Sequence, residues 1–259
     1  MSYRTVMAVD LQGYGSRPQN VQAVLQANLV ECLRDAAGNA GLDAAGWEDR
    51  GGGGGRLMVL PHDVRAEVLV GRFVRELNAE LRGRNRVASA EARTRMRLAI
   101  HHGPAAPAAG GYSGSAPVVV RGLCGADPLR AALDAAGTDL GVIVSAFVFR
   151  GSVEAGMTSL DPADLRRVRV PGLAEEGDGW VWFPGGPDPH ALDFPDGLAG
   201  RPPAGPPTAP PSETPPSETP PSEGAPSEGA PSGSVHATTI NARTFVVRDQ
   251  VNYNFGGRS

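Results

Sequence analysis

An α+β domain is predicted over residues 1–186 of this 259-residue chain, and three observations predict it. Short β-branched, apolar runs alternate with longer stretches whose apolar residues recur at helical spacing. Turns rich in Gly and Pro separate them. The order that results is βαββαβ, followed by a trailing αβ and a short hairpin. Beyond residue 186 the composition collapses into Pro, Gly, Ser, Ala and Glu, which sets a boundary.

Residues 4–9 are apolar and β-branched enough for a central strand, which runs into the turn Leu11-Gln12-Gly13-Tyr14-Gly15. After Pro18, the positions Val21, Leu25, Leu29, Cys32, Leu33 and Ala36 share one helical face that stops near Gly38 and Gly41. A hairpin follows, Asp49 to Pro61, with five consecutive glycines before the strand Arg56–Leu60. Val70, Phe73, Val74, Leu77 and Leu81 mark a second amphipathic helix. Arg95–His101 reads as a strand that enters another hairpin near Gly114, while Val118–Leu123 fits strand or helix equally. Asp127-Pro128 reads as an N-cap followed by Pro at the first helical position. Leu140–Phe147 is expected as a buried strand, Val168–Val170 and Trp180–Phe183 as edge strands.

The formal charge is −4, and residues 202–234 alone carry Glu213, Glu218, Glu223 and Glu228 with no base. The rest is balanced, so no basic face argues for nucleic acid. No apolar run approaches a membrane span, and no secretory leader precedes the first strand. Cys32 and Cys124 lie far apart in apolar surroundings, which favours reduced core thiols. A cytoplasmic protein is expected. All 24 basic residues are Arg; Lys is absent.

The strand ending in Asp10, the glycine turn after it and the segment Arg97-Leu98-Ala99-Ile100-His101-His102-Gly103 together resemble class III nucleotidyl (adenylate/guanylate) cyclase domains. The order of elements over residues 3–185 agrees, and the closing Trp180-Val181-Trp182 is similar to actinobacterial members. The resemblance implies a ferredoxin-like βαββαβ core that acts as a homodimer. It also implies Mg²⁺ or Mn²⁺ with a nucleoside triphosphate, the metals held by two carboxylates. Asp10 stands at the first metal position, and the backbone of Leu11, Gln12, Gly13, Tyr14 and Gly15 at the phosphate loop. Counting back from Pro61, Gly54 stands where the second Asp would be; Val118 stands for the ribose-orienting Asn and Gly122 for the transition-state Arg. Arg121 is one residue off that position, and the Lys with which adenylate cyclases commonly read adenine has no counterpart. Several roles are lost together, so the resemblance implies a degenerate type without a cofactor. His101 and His102, adjacent on a strand, point to opposite faces and are read as structural.

Residues 187–234 carry five-residue units such as Pro210–Thr214 and Pro215–Thr219. They cannot bury enough apolar surface to offset their ordering entropy and are expected to form a disordered linker. In residues 235–259 a period-2 pattern returns: Phe245, Val247, Val251, Tyr253 and Phe255 alternate with Gln250, Asn252 and Asn254. With the lead Asn241-Ala242, this tail resembles RHIM-like bacterial amyloid signalling motifs, and stacked copies would form a cross-β zipper. Arg248-Asp249 departs from that pattern, and docking on the chain's own sheet edge is the competing reading.

These readings converge on a catalytically degenerate signalling adaptor that assembles with itself or a signalling partner, as in bacterial conflict systems. Two alternatives stand beside it. One is an active nucleotidyl cyclase that recruits Glu48 or Asp49 as the missing ligand. The other is a nucleotide-binding regulatory subunit whose partner completes the site.

Overall fold

The computed structural model describes residues 2–109, 111–173 and 177–197. The expected tail motif, Asn241 to Phe255, and the linker beyond residue 197 lie outside the described residues.

Strand β1 (Ser2–Leu11) lies inside the sheet, and residues 6–9 are buried on both of its sides. Met7, Val9 and Leu11 join one core cluster, and Val6 and Ala8 the other, so residues 6–9 read as an unbroken apolar run. The hairpin β2 (Glu48–Gly52) and β3 (Gly55–Val59) lies against one edge of β1, and β4 (Met96–Ala108) against the other. These four strands are antiparallel in the order β2-β3-β1-β4. Together with helix α1 (Gln19–Asn39), between β1 and β2, and the helical residues 66–85, between β3 and β4, they form the expected βαββαβ unit. The sheet then extends beyond it: β6 (Leu140–Ser145) runs parallel to β4, followed by β8 (Asp178–Trp182) and the edge strand β7 (Arg166–Arg169). The short β5 (Gly111–Ser113) folds back on the end of β4.

Helices cover both faces. On one side α1 buries Leu25, Leu29, Cys32 and Leu33 against Met7, Met58, Leu98 and the second helical segment. That segment opens as α2 (Ala66–Val68), widens into a π turn at Leu69–Phe73 and closes as α3 (Val74–Asn85). Leu69, Val70, Phe73 and Val74 are all buried across this π turn and the start of α3. On the other side α4 (Ser115–Cys124) and α5 (Asp127–Ala136) pack over Ala8, Val59, Ala99 and Ile143. Both cysteines are buried and free.

Several boundaries differ from expectation for identifiable reasons. Val118–Leu123 is helical, because Ala116, Val119, Val120 and Leu123 fall on one buried stripe. Asp127 is the first helical residue of α5, with Ala126 before it and no side-chain cap, so the predicted N-cap is one position late. β6 stops at Ser145, whose hydroxyl accepts from the Val148 amide and turns the chain into α6 (Ala146–Val148); Phe147 is left exposed. The packed domain continues past residue 186. Phe194 is buried in the second cluster under the Arg166 guanidinium, and Arg166 pairs with Asp196 at 3.0 Å.

Candidate functional site

Asp10, next to last in β1, projects on the α4 face, directly opposite Arg97 of β4. Antiparallel partners project to the same side, and Arg97 Nη2 donates to Asp10 Oδ2 in a close ion pair. Arg97 is only 4% exposed, whereas the Asp10 side chain is 37% exposed. Nε and Nη1 of Arg97 are buried without a hydrogen-bond partner among the described residues. Helix α4 roofs the pair, with Cys124 Sγ donating to the Arg97 carbonyl at 3.6 Å. Burial pushes the Cys124 thiol up to about 12; the Asp10 carboxylate adds to the rise and Arg97 opposes it. This thiol stays protonated and serves as packing.

The hairpin places its glycines around Asp10. At Gly54 a Cβ would lie 2.6 Å from Tyr14 Cγ and 2.7 Å from Tyr14 Cβ. The Tyr14 ring thus fills the space that a side chain at position 54 would need, and its hydroxyl accepts from Gln26 Nε2 at 2.7 Å. Gly55 is the residue in register with Asp10, and a Cβ there would lie 3.5 Å from Asp10 Oδ1. Neither position carries a carboxylate. Asp49, on the neighbouring strand, is closely paired with Arg56, and Glu48 is exposed at the start of β2.

The turn Leu11–Gly15 is held from both sides. The Leu11 amide donates to the Gly54 carbonyl and the Gln12 amide to the Arg95 carbonyl, each at 2.8 Å. Gly13 takes the left-handed conformation (φ 71°, ψ 16°) and is followed by a 3-10 turn at Tyr14–Ser16. A left-handed residue before a helical one forms a concave nest of backbone N–H groups suited to an anion. On α4, Val118 is 64% exposed, and Gly122 faces inward, where a Cβ would lie 2.7 Å from Leu173. Arg121, rather than position 122, lines the depression beside Asp10 and has no ion-pair partner among the described residues.

Two open depressions meet at Asp10. One, of about 750 Å³, is lined by Asp10, Asp49, Arg56 and Arg121. The other, of about 440 Å³, is lined by the glycine turn, Arg97 and Arg130. Together they present two carboxylates and four guanidiniums, a net cationic cleft. A pair of divalent ions needs the reverse balance and oxygen ligands held in place. Asp10 is already engaged by a buried cation, and the strand facing it supplies no second carboxylate. The residues present do not fit a two-metal site. Among the described residues, no group of three His, Cys, Asp or Glu comes together.

His101 and His102 diverge as their strand positions require. His101 is buried on the α4 face with Nδ1 2.8 Å from Ser145 Oγ, and desolvation lowers its pKa to about 4. His102 stacks on Tyr3 and Phe147 on the opposite face. Neither reaches the cleft. Arg97 went unread in the sequence, although one signal was there: it is the only charge inside the apolar run Met96–Ile100, and a buried cation requires a partner.

No helix among the described residues is long and apolar enough to cross a membrane. No family profile matches the sequence, and no curated protein matches it. Among solved structures, the chain is similar to an adenylate/guanylate cyclase/hydrolase from Silicibacter pomeroyi at 19% identity and a TM-score of 0.50, over 71% of this chain and 97% of that one. It is also similar to the guanylyl cyclase Cya2 at 16% identity and a TM-score of 0.48, over 70% and 90% of the two chains. At such identity the likeness shows the fold alone, that of class III adenylate/guanylate cyclase domains.

Proposed function

We propose that this chain, built on the class III cyclase fold, is a pseudo-cyclase: a cytoplasmic signalling adaptor that does not carry out two-metal nucleotide cyclisation. The observation that carries this reading is the Asp10–Arg97 pair, in which a buried guanidinium occupies the carboxylate that would otherwise hold metal. The bare glycines at positions 54 and 55 support it, and the hairpin's Asp49 is already paired with Arg56. The outward Val118 and inward Gly122 support it further, because neither position carries the amide or guanidinium that would orient ribose and neutralise the transition state, although Arg121 of the same helix lies beside Asp10. The domain pairs with a second copy, as the family resemblance implies. The C-terminal pattern from Asn241 to Phe255 then supplies assembly with a signalling partner across the Pro-rich linker, as in bacterial conflict systems.

Incubation of the full chain with each nucleoside triphosphate and Mn²⁺ tests this reading. No cyclic nucleotide above background is expected. Product that is abolished by Asp10→Ala would overturn it in favour of an active cyclase with a rearranged metal site.

A further inference from the structure

We propose that the Asp10 cleft binds a triphosphate group directly, with arginine guanidiniums standing where divalent ions would be, so that binding needs no metal. Three independent features converge. Arg97 is buried, and its Nε and Nη1 hydrogens have no acceptor among the described residues. An unsatisfied buried donor is costly, more so when charged, so the site favours an oxygen acceptor close by. The second feature is the concave backbone at Gly13–Tyr14, which lines the same depression as Arg97. The third is charge: Arg121 and Arg130 flank Asp10 from α4 and α5 and make the cleft net cationic. Among the described residues, Arg130 pairs only with the exposed Asp127, at 3.3 Å, which leaves it able to turn toward an anion.

Guanidiniums recognise phosphate oxygens through paired N–H donors, a geometry Arg is suited to. Mg²⁺ bound to the ligand neutralises part of the charge these arginines would meet. The metal dependence therefore has the opposite sign from that of a metal-bridged site. The role of Asp10 reverses as well: a metal ligand strengthens nucleotide binding, whereas here the carboxylate competes with phosphate for Arg97.

The test is calorimetric titration of the full chain with inorganic tripolyphosphate, ATP and GTP, in EDTA and in excess Mg²⁺. Binding of all three in EDTA, no weaker than in Mg²⁺, is the expected result. Stronger binding of one nucleotide than of tripolyphosphate would show that the nucleoside adds contacts to the same phosphate site. Arg121→Gln and Arg130→Gln, both at exposed positions, should each weaken binding by roughly threefold to tenfold. Asp10→Asn, which still offers Arg97 an oxygen acceptor, should tighten it. Binding seen only with Mg²⁺, or lost in Asp10→Asn while circular dichroism is unchanged, would overturn the proposal, as would no binding at all. The inference shares with the pseudo-cyclase reading the premise that the metal pair is lost. Cyclic product from the Mn²⁺ assay would sink that premise, whereas absence of metal-free binding would sink this inference alone.

Discussion

Tyr14 lies across the Gly53–Gly54 turn, with Gln26 Nε2 bridging its hydroxyl and the Gly53 carbonyl at 2.7 and 2.9 Å. A carboxylate restored at position 54 would have to displace that ring. Gly54→Asp should therefore destabilise the domain by about 1–3 kcal/mol, the usual range for overpacking. Tyr14→Gly introduced with it should recover much of the loss, giving a coupling term in a double-mutant cycle read by urea unfolding. Strictly additive effects would show that the ring is not the obstacle. The Asp that the cyclase resemblance implies at position 54 was legible from that resemblance and the count back from Pro61. That the facing Cβ direction belongs to Gly55, and that a tyrosine three residues beyond Leu11 fills the other, depends on a register no single sequence displays.

At the scale of one strand, β4 carries His101 into the core beneath α4 and His102 out to the Tyr3–Phe147 stack. Burial lowers the pKa of His101 from 6.5 to about 4, with His102 contributing a smaller repulsion. The unfolded chain accepts a proton below its own pKa, while the folded strand resists one until about pH 4. The stability this group contributes is thus fully present above pH 6.5 and is lost as pH falls from there toward 4. The slope is at most about 1.4 kcal/mol per pH unit. His102, also lowered by burial, adds in the same direction. Urea unfolding between pH 7 and 4.5 should show the decline, and His101→Gln should flatten its larger part; an unchanged slope in that variant would place the pH sensitivity elsewhere. Element identity was largely readable here, since alternation sends the two histidines to opposite faces. Element ends were not: Ser145 ends β6 through a hydroxyl contact to Val148, and the π turn at Leu69–Phe73 leaves the helical spacing of Val70, Phe73, Val74 and Leu77 without a visible break.

At the scale of the molecule, the sheet order β2-β3-β1-β4 was foreseeable from the family resemblance, whereas the extent of the domain was not. A fall in apolar content near residue 186 concealed Phe194, a single aromatic that closes the second core. The tail reading stands on its alternating pattern alone. A peptide of residues 235–259 should form cross-β material, because Phe245, Val247, Val251, Tyr253 and Phe255 supply one zipper face and Gln250, Asn252 and Asn254 supply ladders. Val247→Pro should block assembly by removing a ladder N–H, and Arg248→Gly should accelerate it by removing stacked positive charge. Fibre diffraction without a strand-stacking reflection would end the assembly reading.

The Asp10–Arg97 pair also bears on descent. The two partners are unequally buried, so the order in which they can change is constrained. Losing Asp10 first leaves a guanidinium that is only 4% exposed without its carboxylate. Losing Arg97 first leaves a carboxylate that water can still reach. Selection for folding alone would then hold Asp10 in place for as long as Arg97 remains. An aspartate persisting at this strand end through a lineage would be a record of the arginine beneath it, even where no metal chemistry survives to be protected.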